Sequence, residues 1–361
     1  MRGKGLSLLL LLHLPACVPS GSEPATDNAD SLYTFARVGA NALVVRRGFA
    51  IEEWVTGLPD ARGLALAPDG SVWVTLRNTG RVVRLGPDRS RTEVFTGLRD
   101  PHGIAFRGDT VWVAETHQVF RAAPPYTSAD TVIRGLPDDG GHSTRSLVFV
   151  ADTVLVAIGS SCNLCDESDV RRAAILAFDL DGGHERLYAT GLRNSVGLAR
   201  HPQTGVVWAT NNDRDRLGDD LPPDRVNRIV PGGWYGWPDC YLPGTPNPEY
   251  RTRATRCADA IGPGIALPAH TAPLGLTFWR DALYVGLHGS WDRSFPVGYK
   301  VIRVPFRDGE PAGPAEDFIV GWQVRRQSWG RPVDVLAMPD GSLLISDDQG
   351  GRIYRVTPEE P

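Results

Sequence analysis

Three short segments carry side chains able to do chemistry. In Gly140-Gly141-His142-Ser143-Thr144-Arg145-Ser146-Leu147, a histidine follows two glycines and precedes an alternating apolar run. A neutral imidazole at such a strand entrance can accept a proton near neutral pH, so His142 is a candidate general base. The plainer alternative is a surface turn histidine. Gly191-Leu192-Arg193-Asn194-Ser195-Val196-Gly197-Leu198 places a permanent cation beside an amide, a pair suited to gripping a carboxylate. Its alternative is a loop arginine paired with a nearby aspartate. Asn211 to Asp224 holds Asp213, Asp215, Asp219 and Asp220 among turn residues, a composition that suits a hard cation such as calcium. Counted from Asp213, Leu217 falls fifth and Asp224 twelfth, so the run is not an EF-hand, and a solvated acidic loop remains its alternative. No Gly-x-Ser-x-Gly elbow, phosphate-cradling glycine loop or His-Glu-x-x-His helix is present.

The elements that must position these residues repeat along the chain. A Gly-Leu-Ala-Phe-like segment, a turn and an apolar alternating strand recur six times. The copies are Gly63-Leu64-Ala65-Leu66 with Val72-Trp73-Val74, Gly103-Ile104-Ala105-Phe106 with Val111-Trp112-Val113, and Ser146-Leu147-Val148-Phe149 with Val154-Leu155-Val156. Gly197-Leu198-Ala199 with Val207-Trp208-Ala209, Gly275-Leu276-Thr277-Phe278 with Leu283-Tyr284-Val285, and Asp334-Val335-Leu336-Ala337 with Leu343-Leu344-Ile345 complete the set. A further strand follows most copies, as in Val82-Val83-Arg84-Leu85 and Ile353-Tyr354-Arg355-Val356. Period-two alternation marks half-buried strands, and Asp-Gly between two of them marks a hairpin. Such units cannot bury both faces alone, so the chain over 33–361 is predicted to be an all-β, six-bladed β-propeller. Strands around Ala42–Val45 and Ile51–Val55 are expected to complete the last blade. The stretch from Trp234 to Ala269 is read as a Pro- and Gly-rich insertion, with a seventh blade there as the alternative.

The N-terminus sets the expected compartment. Arg2 and Lys4 precede a leucine run, Leu6 to Leu12, which ends at Leu14-Pro15-Ala16-Cys17. The run is well short of the roughly 20 residues that span a bilayer, so residues 1–16 read as a signal peptide. A small residue before Cys17 resembles the bacterial lipobox, making Cys17 the expected lipidated N-terminus; an ordinary secretory signal is the alternative. Residues 17–32 then read as a flexible tether, and Val18 rather than Asp after the cysteine favours an outer-membrane or surface destination. Four further cysteines in an oxidising compartment invite disulfides. Local pairing predicts Cys162–Cys165 and Cys240–Cys257, with half a zinc site as the alternative for the Cys-x-x-Cys. A formal net charge of -4 gives no basic footprint for nucleic acid, and none is expected as a partner.

Taken together, Gly191-Leu192-Arg193-Asn194, Gly218-Asp219-Asp220-Leu221-Pro222-Pro223-Asp224 and Gly232-Gly233-Trp234-Tyr235-Gly236-Trp237-Pro238 resemble the soluble sugar dehydrogenases that use pyrroloquinoline quinone (PQQ), above all the sorbosone dehydrogenase branch. Ser160 to Cys165, His288 to Ser294 and Trp329-Gly330-Arg331-Pro332 are similar to the same branch. The resemblance implies a six-bladed propeller holding PQQ over its channel mouth through calcium, and oxidation of an aldose or related sugar, with an unidentified electron acceptor. It implies that His142 takes the hydroxyl proton, that Arg193 and Asn194 contact the quinone and its carboxylates, and that Arg331 grips the cofactor. Backbone carbonyls near Asp213 and Arg214 would bind the calcium. The chain departs from the family where Gly141 replaces an aspartate of some members. Asn212-Asp213-Arg214 also stands where others carry a Gly-Pro pair, and no lysine matches the one that neutralises the quinone, leaving Arg293 or His288 in its place. A catalytically silent propeller that binds a carbohydrate or protein partner is the competing reading, and a calcium-dependent lactone hydrolase a third.

Overall fold

The structure, a computed structural model, describes residues 32–359. The expected signal peptide, the lipidated Cys17 and the tether (up to residue 31) lie outside the described residues.

Among the described residues six sheets of four or more strands, antiparallel apart from a short parallel pairing of Gly233–Trp234 in the third, follow one another along the chain. The first holds Ala61–Leu66, Val72–Leu76, Arg81–Leu85 and Arg91–Phe95. The second runs from Ile104–Arg107 to Asp130–Arg134, the third from Arg145–Val150 to Arg186–Thr190, and the fourth from Leu198–Arg200 to Ile265–Leu267. Pro273–Trp279 opens the fifth and Pro332–Ala337 the sixth. The opening strand of each sheet packs against that of the next, and the sixth returns to the first, so the fold is an all-β propeller closed around an axis. Phe49–Thr56 is the outer strand of the last sheet, hydrogen-bonded to Arg352–Pro358, and thereby clasps the two ends of the ring together. The other N-terminal strand departs from expectation. Asn41–Arg46 pairs with Glu316–Val320 and extends the fifth sheet instead, with Tyr33–Val38 beyond it.

The repeat has a steric origin. A Cβ on Gly63 would sit 2.1 Å from the His102 carbonyl oxygen, and one on Gly197 would sit 2.1 Å from that of Leu274. Each glycine lets its strand lie against the backbone of the following sheet. A hydroxyl cements the same junction: Thr75 accepts from Gly63 N–H and donates to His102 O, and Thr210 does the same between Gly197 and Leu274. Ser146 and Asp334 occupy the glycine slot in the third and sixth sheets. There Ser146 donates to Val196 O, while Asp334 accepts from Leu64 N–H of the first sheet at 2.8 Å. The apolar faces meet between neighbouring sheets, with Trp73, Trp112, Trp208 and Tyr284 buried at equivalent second-strand positions.

The 234–269 stretch adds no four-stranded sheet. It contributes a two-stranded ribbon, Cys240–Leu242 with Thr245–Pro246, and a 3-10 segment over Pro248–Asp259, then supplies Ile265–Leu267 as the outer strand of the fourth sheet. The Cys240–Cys257 disulfide ties it together, and Cys162–Cys165 closes the loop after the third sheet's second strand. No helix among the described residues is long and apolar enough to cross a membrane.

Candidate functional site

The ends of the opening strands divide the axis into two spaces. One, of about 480 Å³, is lined by the strands themselves, including Leu64, Ile104, Leu147, Leu198, Leu276 and Val335. The other, of about 370 Å³, is lined by loop residues of high charge: Arg62, Arg77, Arg193 and Arg331 against Asp213, Asp215 and Asp224, with His142, His270 and His288. Between them the junction positions are Arg62, His102 and Arg145 in the first three sheets but Val196, Leu274 and Val333 in the last three. The second trio forms its own small apolar cluster, so the junction is polar on one side of the axis and apolar on the other.

His142 enters this cavity from the loop before the third sheet. Its Nδ1 donates to the Ser160 carbonyl oxygen at 2.8 Å, which leaves Nε2 as the unprotonated nitrogen of the neutral ring. Gly159 makes room for it, since a Cβ there would lie 2.6 Å from both His142 Cβ and Asn194 Oδ1. Burial first, and then the Arg193 charge, push the imidazole down to about 3, so it is neutral across the physiological range.

Arg193 follows a buried leucine that anchors the loop, and its guanidinium is itself buried. It donates to Asn163 O (3.0 Å), Asn163 Oδ1 (2.9 Å) and Asp213 O (2.7 Å), and lies 3.3 Å from Asp215 Oδ2. Asn163 sits inside the Cys162–Cys165 loop and also exchanges hydrogen bonds with the backbone of Asp215. That disulfide loop therefore holds the arginine in place. Sequence reasoning saw the two cysteines and passed over the asparagine between them. Asn194 lies alongside with its Oδ1 buried and unpaired, an acceptor aimed at nothing in the protein.

Across the cavity Arg331 donates from Nε to His288 O and from NH2 to Gly289 O, both at 2.9 Å, and stacks over Tyr299. His288 Nε2 donates to both oxygens of Asp348 at 3.0 Å, and Arg62 NH1 bonds the same carboxylate at 2.8 Å. Burial lowers His288 to about 4; although burial alone raises Asp348, the His288 hydrogen bond and the Arg62 charge hold it well below the usual carboxylate range. Asp348 has no local sequence signal, since it lies 60 residues from His288.

His142, Arg193, Asn194, Asp213 and Arg331 thus line one space. Arg293 does not line it: it donates to Asp219 O and Ala269 O and pairs with Asp220, bracing the acidic loop from outside. The Arg214 side chain points away to Asn247 and a two-pronged pairing with Glu249 of the insertion. The Asp213 carboxylate is spent on the buried Arg225, so only its carbonyl faces the candidate cofactor space, and that oxygen accepts from Arg193. His102 lines the strand-walled space instead.

Comparison with known proteins agrees with this architecture. A protein of Borreliella burgdorferi is 28% identical over 88% of this chain and 91% of its own length. A pyrroloquinoline quinone-dependent pyranose dehydrogenase of Coprinopsis cinerea is 26% identical over 86% of this chain, which spans 54% of that enzyme. Among solved structures, the holo form of the PQQ domain of that pyranose dehydrogenase superposes with a TM-score of 0.77 at 23% identity, covering 89% of this chain and 98% of that domain. The calcium structure of a Trichoderma reesei carbohydrate-active enzyme of family AA12 gives 0.77 at 23% identity over 90% and 99%. The TrAA12-like family model matches residues 43–359, and the chain belongs to that family.

Proposed function

We propose that this chain is a six-bladed propeller dehydrogenase that oxidises an aldose or related sugar, with PQQ and calcium bound at the charged cavity. The observation that carries the reading is the cavity itself, where four arginines converge beside a neutral histidine whose free nitrogen faces the same space. A small tricarboxylate quinone fits that chemistry: it needs cations and planar donors, and the buried, unpaired Asn194 Oδ1 marks a place left for a ligand atom. The names of the relatives above point the same way.

In this reading Arg193, Asn194 and Arg331 hold the cofactor and Arg62 balances the charge beneath it. When bound, the quinone supplies the hydride acceptor. His142 Nε2 takes the substrate hydroxyl proton, and the Nδ1 bond to Ser160 keeps the ring in the tautomer that can do so. Binding an anion against Arg193 removes the nearest charge that depresses His142, and so moves its pKa back toward the working range. Calcium at the Asp213 carbonyl requires the Arg193 guanidinium to turn from that oxygen to a cofactor carboxylate. Attachment to a bacterial membrane through lipid on Cys17, and an extracytoplasmic site of action, belong to the same proposal.

One observation favours a second reading, a propeller that recognises a carbohydrate or protein without catalysis: Arg193 is already satisfied by protein acceptors. A PQQ titration with and without calcium, read by absorbance and by dye reduction on an aldose panel, separates the two. Saturable calcium-dependent binding with sugar-dependent dye reduction supports the dehydrogenase, and no binding at millimolar calcium rejects it.

A further inference from the structure

Beside Arg193, three loops bring Asp215, His270 and Asp292 together, each offering one ligand atom within 4.8 Å of the other two. Asp215 follows the fourth sheet's second strand, His270 precedes the fifth sheet, and Asp292 follows that sheet's second strand. His270 is only 7% exposed, and its Nε2 donates to the Gly218 carbonyl at 2.8 Å. With Nε2 engaged there, Nδ1 is the nitrogen that can face a ligand, and it carries the lone pair in the neutral ring. Nδ1 faces Asp215 Oδ1 at 3.5 Å. Two acceptors opposed at that distance repel unless positive charge lies between them. Asp292 accepts from Arg216 N–H at 2.7 Å and offers a carboxylate oxygen to the cluster.

We propose that Asp215, His270 and Asp292 bind a divalent transition ion, of the Mn²⁺ or Zn²⁺ kind, through the imidazole Nδ1 and two carboxylate oxygens. Bonds of roughly 2.0–2.2 Å place ligand atoms about 3–4.4 Å apart, so small rotations of these side chains close the site. The nitrogen donor separates it from a carbonyl-held calcium near Asp213, because imidazole suits transition ions and calcium takes oxygen. The site goes beyond the dehydrogenase reading and does not require it. Its effect on the cavity is electrostatic and mechanical. The ion neutralises Asp215, which lies 3.3 Å from Arg193, and so frees that guanidinium for an anionic ligand. It also pins the acidic loop to the loop that carries Trp291, a cavity-lining residue 70% exposed at the rim.

The test uses the full chain, treated with chelator and freed of quinone and calcium, with Mn²⁺ as the probe. Calorimetry is expected to show one Mn²⁺ per chain, and pulsed electron paramagnetic resonance to show coupling to an imidazole nitrogen. His270→Gln removes that coupling and weakens binding by at least about tenfold. Asp292→Asn, a change at a less buried residue, weakens binding while keeping the nitrogen coupling, and carries the test if the histidine variant fails to fold. Absence of stoichiometric binding, binding unchanged in both variants, or a bound ion without nitrogen coupling overturns the site and leaves an imidazolium–carboxylate pair. Because no quinone is present, this result is independent of the PQQ titration, and either can fail alone.

Discussion

Two of the histidines that line the charged cavity, His142 and His288, are braced in different ways. His142 donates its Nδ1 proton to a neutral carbonyl, Ser160 O. His288 donates its Nε2 proton to a carboxylate, Asp348, that Arg62 also holds. Burial depresses both rings, to about 3 and about 4. What differs is the response to a ligand. The Arg193 charge is the second cause of the His142 depression, so an anion bound to Arg193 changes His142 directly. At His288 the hydrogen bond and charge of Asp348 come second and oppose the depression, so the ring is buffered within the protein. A proton acceptor that must load and unload belongs at the first position, and a fixed polar wall at the second.

The largest way to break this contrast is at the bases themselves. His142→Asn is expected to lower kcat by about 10²–10⁴-fold with PQQ binding retained, whereas His288→Asn lowers it by roughly tenfold. Steady-state dye reduction beside an absorbance titration checks both, and equal losses would erase the distinction. Asp348→Asn strikes the brace: it leaves Arg62 buried against a neutral partner and should cost about 3–5 kcal/mol in urea unfolding. Removing Ser160's hydroxyl is far milder, since the carbonyl that holds His142 remains.

The two disulfides sharpen the same comparison between positioning and stability. Cys240 and Cys257 are 17 residues apart, and replacing both by serine should cost about 3 kcal/mol by denaturant unfolding. Cys162 and Cys165 close a loop with a separation of 3, which constrains the unfolded chain less. Their loss should therefore show more in cofactor affinity than in stability, because Asn163 between them holds Arg193.

The smallest effect expected is on pH. A base works only when deprotonated, so activity falls as pH drops through its pKa. With His142 at about 3 in the quinone-free chain, NMR titration of that ring should show no protonation between pH 8 and pH 5, and PQQ bound against Arg193 should move its titration upward. A ring that titrates in that window without PQQ, and that His142→Asn removes from the spectrum, would contradict its burial.

The ring was legible in sequence because its glycines recur for a local steric reason, the close approach of one sheet's opening strand to the next. Both disulfides were legible because each joins neighbours in sequence. His142, Arg193, Asn194 and Arg331 stood out by motif, and the structure does bring them to one cavity. Arg293 stood out equally and turns elsewhere, to the acidic loop; Arg214 stood out for its backbone carbonyl, and its side chain goes to Glu249. Nothing in the local sequence says which way a loop arginine swings when carboxylates lie on both sides. Asp348, Asn163 and His270 were missed for the converse reason: their partners lie 52 to 60 residues away or on a different sheet, and only ring closure brings them together. The strand at Asn41–Arg46 was misplaced because two adjacent outer edges offered the same alternating partner.

The central claim is that this cavity binds a quinone and that His142 makes the bound quinone reactive toward sugar. Its most direct test is a PQQ titration of the wild-type chain and His142→Asn with calcium present, followed in the same cuvette by addition of an aldose. Both proteins are expected to bind PQQ with similar affinity, and only the wild type to show the absorbance change of reduction. Failure of both to bind, or sugar-driven reduction in His142→Asn at the wild-type rate, would contradict it.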